Sequence, residues 1–87
     1  MIAGPTRTIS VKLFGPQAAL AGADAVDVLT PETVNAQNLK RLLGETAPRL
    51  LASLPASRIA IDHAYAAPDD PVPAGTEVAL IGLVSGG

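Results

Sequence analysis

Hydrophobic and polar positions alternate with period two from Thr8 to Phe14. Ile9, Val11 and Leu13 share one face, and Ser10 and Lys12 the other. That period predicts a half-buried strand. Phe14 falls on the polar side, where it either caps the strand at a sheet edge or stands as an exposed apolar contact. Gly15-Pro16 breaks the pattern. Gln17-Ala18-Ala19-Leu20-Ala21 then predicts about one turn of helix, stopped by Gly22. Ala25 to Leu29 reads as a second short strand, with Val26 and Val28 on one face and Asp27 between them. Two short strands joined by a compact loop suggest an antiparallel pair.

The pattern next shifts toward period 3.6. Val34, Leu39, Leu42 and Leu43 gather on one side, while Asn35, Gln37, Asn38, Lys40, Arg41 and Glu45 are mostly on the other. This predicts the one long helix, with Lys40-Arg41 on its wet face. Thr30 as N-cap with Pro31 at the first helical position gives one start, and Thr33 as cap is nearly as good. Pro48 ends the helix near Glu45 or Thr46, because the residue before a proline avoids helical geometry. Arg49 to Ser53 predicts a helical turn closed by Pro55. Arg58 to Asp62 is a third strand, Asp62-His63-Ala64 a turn, and Tyr65-Ala66 a brief return strand. Pro68 to Gly75 is dense in turn residues. Glu77 to Ile81 is apolar on both faces, as befits a strand in the middle of a sheet. Pairing it with Thr8–Phe14 would centre both apolar strands.

Strands arranged around one helix predict an α+β layer pair. The expected sheet is mixed and four- to five-stranded, with the main helix packed on one face. At 87 residues the chain holds one domain. Residues 1–7 are expected as a loose lead-in and 82–87 as a flexible tail protruding from the sheet.

Composition narrows the chemistry. The formal charge is -2 and the aromatic residues are Phe14 and Tyr65 alone. A nucleic-acid surface would need a basic patch or stacking platforms, and both are missing. There is no cysteine, hence no disulfide, thiolate metal site or thiol nucleophile. One histidine, His63, excludes a multi-histidine metal site. Asp62-His63 sits in a turn without a serine in a nucleophile-elbow sequence, which disfavours a catalytic triad. Asp69-Asp70 and Glu77 have no EF-hand spacing and read as solvated acidic loop. No bound metal or cofactor is expected. No apolar run approaches a membrane span, and the first residues lack the charged and apolar regions of a signal peptide, so a cytoplasmic protein is expected.

What remains is the end of the sequence, Gly82-Leu83-Val84-Ser85-Gly86-Gly87. At a glycine usage of about 7%, two given positions are both Gly in roughly 0.5% of chains. A frayed terminus is the plain explanation. The chemical one is that the carboxylate of Gly87 is the working group. Once activated by ATP as an acyl-adenylate, that carboxyl would accept sulfide, a persulfide or a lysine amine. Gly86 and Gly87 lack Cβ atoms and would thread a narrow channel in a partner's active site, followed by Ser85 and Val84. With no cysteine, sulfur would be carried only as a thiocarboxylate. No general acid or base accompanies the tail, which describes a carrier and not a self-sufficient enzyme.

From Thr8 to Gly87 the chain resembles the MoaD-like small subunit of molybdopterin synthase, within the MoaD/ThiS group of ubiquitin-like sulfur carriers. The resemblance rests on Ile9-Ser10-Val11-Lys12-Leu13-Phe14-Gly15 and on Pro31-Glu32-Thr33-Val34 leading into Leu39-Lys40-Arg41-Leu42-Leu43. It rests most on Gly75-Thr76-Glu77-Val78 and the closing Val84-Ser85-Gly86-Gly87. Gly82-Leu83 stands where family members often carry Pro-Pro.

The resemblance implies a β-grasp (ubiquitin-like) fold. It implies adenylation of Gly87 by a ubiquitin-activating-type adenylyltransferase that uses ATP, then conversion to a thiocarboxylate. It also implies insertion of the tail into a large molybdopterin synthase subunit. That subunit holds the catalytic residues and builds the dithiolene of molybdopterin from cyclic pyranopterin monophosphate, in molybdenum cofactor biosynthesis.

Three alternatives stay open: a carrier for thiamine or another sulfur product, a ubiquitin-like modifier joined to lysines, and an interaction domain with an inert tail. The proline-rich loop favours the molybdopterin branch over thiamine. Phe14 and Leu83, with Val84, are apolar positions that the strand pattern does not bury, and so are candidates for a partner surface.

Overall fold

The structure is a computed structural model and describes residues 4–82. Strand β1 (Thr6–Lys12) pairs antiparallel with β2 (Ala25–Pro31) over seven residue pairs, from Thr6 with Pro31 to Lys12 with Ala25. Between them runs the short helix α1 (Gly15–Ala21), which stops at Gly22. Helix α2 (Ala36–Thr46) follows, then a 3-10 helix over Pro48–Ala56, β3 (Ser57–Ile61), β4 (Ala64–Tyr65) and β5 (Val78–Gly82). The sheet order is β2-β1-β5-β3-β4. The last strand therefore lies in the centre, parallel to β1 and antiparallel to β3. This is the β-grasp, ubiquitin-like fold, with a five-stranded mixed sheet.

The inner face of β1 supplies Ile9 and Val11, and Leu13 follows just beyond its end. These pack with Val28, Ile59, Val78 and Leu80 under Leu39 and Leu43 of α2, both completely buried. Each such side chain contributes about 1.5–3 kcal/mol of burial. Leu50 and Leu54 of the 3-10 helix close the core at one end. That segment comes close to α2 because Gly44 has no side chain. A Cβ there would lie 2.7 Å from both Leu51 and Leu54 side-chain carbons.

Several boundaries differ from the sequence expectation. The long helix does not begin at Thr30-Pro31 or at Thr33. Asn35 is the N-cap, and its side chain accepts from the Asn38 N–H at 2.8 Å. Thr30 is fully buried in β2 instead, and its hydroxyl donates to the Pro31 carbonyl at 2.8 Å. The intervening residues are tied to the late loop, with Val72 N–H donating to Val34 O and Ala36 N–H to Asp70 O. Cross-chain hydrogen bonds thus decided the start against a favourable local cap.

Lys40 does not point into water. It is half-buried, and its ammonium donates to the Ser57 carbonyl at 3.1 Å, while Arg41 pairs with Glu45 on the exposed side. The 3-10 helix continues through Pro55, which was expected to close it. The expected lead-in 1–7 is shortened, since Thr6 and Arg7 already pair in β1. Gly82, expected in the tail, is the last paired residue of β5.

Asn35→Ala is expected to destabilise the protein by about 1 kcal/mol in a denaturant melt, whereas Thr33→Ala should change stability by less than about half of that. Equal effects would move the cap back to Thr33.

Candidate functional site

The described residues end at the last paired residue of β5, Gly82. The final register pairs are Arg58 with Ile81 and Ser57 with Gly82. Beneath that last rung lies a polar cluster. Gln17, on the inner side of α1, is only 6% exposed. Its side-chain amide donates to Ser57 Oγ at 2.6 Å and to Ser53 Oγ at 3.2 Å. The two hydroxyls donate in turn to backbone carbonyls, Ser57 to Ser53 at 2.7 Å and Ser53 to Leu50 at 2.8 Å. Buried polar groups are costly unless bonded, and the Gln17 NH2 and both serine hydroxyls have their partners.

Beside the cluster opens an apolar cavity of about 560 Å³, walled by Phe14, Pro16, Leu20, Ala56 and Ile81, with Gln17 and Gly82 also in its lining. A second hollow of about 280 Å³ lies on the other side of Phe14 and Ile81, bounded by Ala60, Tyr65 and Ala79. Phe14 is 55% exposed, so it does not fill the sheet edge. It projects as an apolar ridge between two depressions at the exit of the central strand. Leu20 and Tyr65 are exposed as well.

Charged groups rim the second hollow. Lys12 pairs with Glu77 at 3.0 Å, and His63 Nε2 lies 3.5 Å from the same carboxylate. Arg58 sits 4.9 Å over the Tyr65 ring. These pairs are solvent-exposed and contribute at most about 1 kcal/mol each. They leave the centre of the patch apolar.

His63 stands at the tip of the β3–β4 turn, where Asp62 and His63 both take positive φ, 49° and 70°. That pair of left-handed residues makes the two-residue hairpin turn that suits sheet twist. Asp62 is occupied structurally. Its carboxylate accepts from the Glu77 N–H at 2.8 Å, and its own N–H donates to the Glu77 carbonyl at 2.8 Å. Asp70 is likewise taken, accepting from the Ala67 N–H at 2.8 Å. Among the described residues, no group of three or more His, Cys, Asp or Glu could hold a metal ion. Nor is any helix among them long and apolar enough to cross a membrane.

Of the candidate residues from the sequence, Phe14 is placed at the strand exit. Leu83, Val84, Ser85, Gly86 and Gly87 lie outside the described residues. The Gln17–Ser53–Ser57 cluster was not anticipated. A signal existed in the short helix, where Gln17, Ala18 and Ala21 face inward while Ala19 and Leu20 are exposed. A glutamine on that face does not register as a buried position.

No curated protein matches the chain. Among solved structures, SAMP1 from Haloferax volcanii is 25% identical at a TM-score of 0.80, covering 93% of this chain and 100% of that one. Another structure of the same organism's small archaeal modifier protein 1 is 22% identical, at a TM-score of 0.77 over 88% of this chain and 98% of that one. A Pyrococcus furiosus protein described as molybdopterin converting factor, subunit 1, is 20% identical, at a TM-score of 0.75 over the same 88% and 98%. The two below 25% identity establish a common fold. The ThiS family model matches residues 11–87, from the end of β1 through the last strand to the glycine pair. The chain belongs to the ThiS family, the ThiS/MoaD-type ubiquitin-like sulfur carriers.

Proposed function

We propose that this protein carries sulfur on the carboxyl group of Gly87, as the small subunit of a molybdopterin synthase. One observation carries the reading: a central strand, anchored between β1 and β3 at its start, held by β3 to its end and backed by the core, is followed in sequence by Val84-Ser85-Gly86-Gly87 in a ThiS-family protein. The family match running to Gly87 supports the choice of residue. The proline-rich loop over residues 68–75 supports the molybdopterin branch over thiamine, and the fold likeness to a converting-factor subunit is consistent with it.

The chemistry takes two steps. A carboxylate oxygen of Gly87 attacks the α-phosphorus of ATP on a ubiquitin-activating-type adenylyltransferase. The bond to the β-phosphate oxygen breaks and pyrophosphate leaves. A hydrosulfide-level sulfur then adds to the acyl-adenylate carbonyl, and AMP departs with the former carboxylate oxygen. If the donor is a persulfide, a second thiol must release the thiocarboxylate by disulfide exchange, which supplies the two electrons. The large synthase subunit takes the sulfur and provides the acid–base groups. This chain supplies the tail, its rigid base and a docking patch. Exposed Phe14 and half-buried Ile81, beside the exit, are the apolar centre of that patch, with Leu83 two residues beyond Ile81 in sequence.

A second reading is favoured by the likeness to the archaeal modifier SAMP1, which is full-length for that protein. There the same acyl-adenylate is taken by a lysine amine, giving an isopeptide bond at Gly87.

Intact mass spectrometry after incubation with an activating enzyme, ATP and a sulfur donor should show one oxygen of the chain replaced by sulfur. Lysine-linked adducts without that replacement would favour the modifier. An unchanged mass and no adducts would refute both. Extending the chain by one residue beyond Gly87, or Gly87→Ala, should abolish charging and leave the melting temperature within about 1 °C, because the packed core is built from residues between Ile9 and Leu80. A large drop in melting temperature would make the tail a structural element.

A further inference from the structure

Gln17 occupies a site that a leucine or methionine would fill. It is 6% exposed and lies between α1, the 3-10 helix and the end of β5. Its amide has one allowed orientation. Both neighbouring hydroxyls already spend their protons on backbone carbonyls, so they can only accept, and the NH2 end must face them. The amide oxygen Oε1 is thereby turned toward Gly82.

There it meets the bare α-carbon. A Cβ built on Gly82 would stand 3.3 Å from Oε1 and 3.5 Å from the amide carbon. That is tighter than ordinary packing, so the amide and the missing side chain fit each other. Ser57, the register partner of Gly82, is gripped twice: at Oγ by Gln17 and at its carbonyl by Lys40. The last rung of the sheet is thus braced from the helix side by two polar side chains from α1 and α2.

We propose that Gln17 is a positioning residue for the tail. It fixes Gly82, the last paired residue of β5, and so the point and backbone direction from which residues 83–87 continue. The proposal rests on the reading of Gly87 as the charged group. Five residues reach at most about 17 Å when extended, so the terminus must be presented to its target from a defined origin. A fixed origin narrows the volume that the carboxylate searches, and placing a reacting group correctly is worth large factors in rate. The body of the protein docks as before when the brace is lost, and the carboxylate is presented less often in line with ATP. The signature is therefore a lower kcat at nearly constant KM.

The test uses the full-length protein with an activating enzyme and ATP, read as pyrophosphate release. Gln17→Leu keeps both serine hydroxyls bonded to their carbonyls and should remain folded. Its kcat should fall about tenfold while KM changes by less than about twofold. Gly82→Ala should show a similar loss by pushing the amide aside. Combined with Gln17→Ala, which vacates the space, it should cost less than the product of the two single effects.

A folded Gln17→Leu with kcat within about twofold of the natural chain overturns the proposal, as do multiplicative effects in the cycle. Should Gln17→Leu melt early, the Gln17→Met variant carries the same comparison. Failure of the natural chain to be charged overturns the functional reading alone. The brace itself is then read by N–H residual dipolar couplings of Ile81 and Gly82. They should change in Gln17→Leu, and unchanged couplings would overturn it.

Discussion

The pairing of Val11 with Val78 and of Lys12 with Ala79 puts the last strand beside the first, in the middle of the sheet. Everything else in the molecule serves or uses that contact. β3 pairs with β5 along its whole length, Val78–Gly82, while β1 pairs with it at Val78 and Ala79, so the strand is held on both sides at its start and by β3 to its end. Val78 and Leu80 are buried under α2, and Ala79 is nearly buried on the opposite face. At about 1.5–3 kcal/mol for a fully buried large side chain, this strand holds a sizeable part of a domain stability of about 5–15 kcal/mol. A working terminus needs a base that does not unfold when the terminus is pulled into another protein. A central strand provides that base.

The sheet also explains why the exit is polar beneath and apolar outside. Core packing ends at Leu54 and Ile59, and the remaining gap is filled by Gln17 and two serines. An all-apolar filling would bury more surface but would have no preferred orientation at Gly82. On the outer side, exposed Phe14 and half-buried Ile81 stand between two hollows, flanked by the Lys12–Glu77 pair and by Arg58 over Tyr65. An apolar centre with a charged rim is the usual anatomy of a protein–protein contact.

Most of the architecture was legible in the sequence because periodicity is a strong signal where one face is buried. The alternation of Ile9, Val11 and Leu13 and the uniformly apolar Val78–Ile81 placed both central strands correctly. The start of α2 was not legible, because Thr30-Pro31 and Thr33 have good capping chemistry locally. What decided it is non-local: Thr30 is buried in β2, and the Val34 and Ala36 backbones are tied to residues 70–72. The inward turn of Lys40 was hidden for the same reason, since its partner Ser57 is 17 positions away. At the site, Phe14 was read as one of two possibilities, and the fold decides for exposure. The Gln17 cluster escaped because a buried glutamine looks like a surface residue until its two serine partners are brought together.

The central claim is that the carboxyl group of Gly87 is the atom group on which this protein acts. ATP–pyrophosphate exchange with an activating enzyme reports that directly, since exchange requires reversible transfer of adenylate to the terminal carboxylate. Exchange should depend on the chain and vanish when Gly87 is deleted while the domain still melts cooperatively at its usual temperature. Exchange that persists without Gly87 would contradict the account.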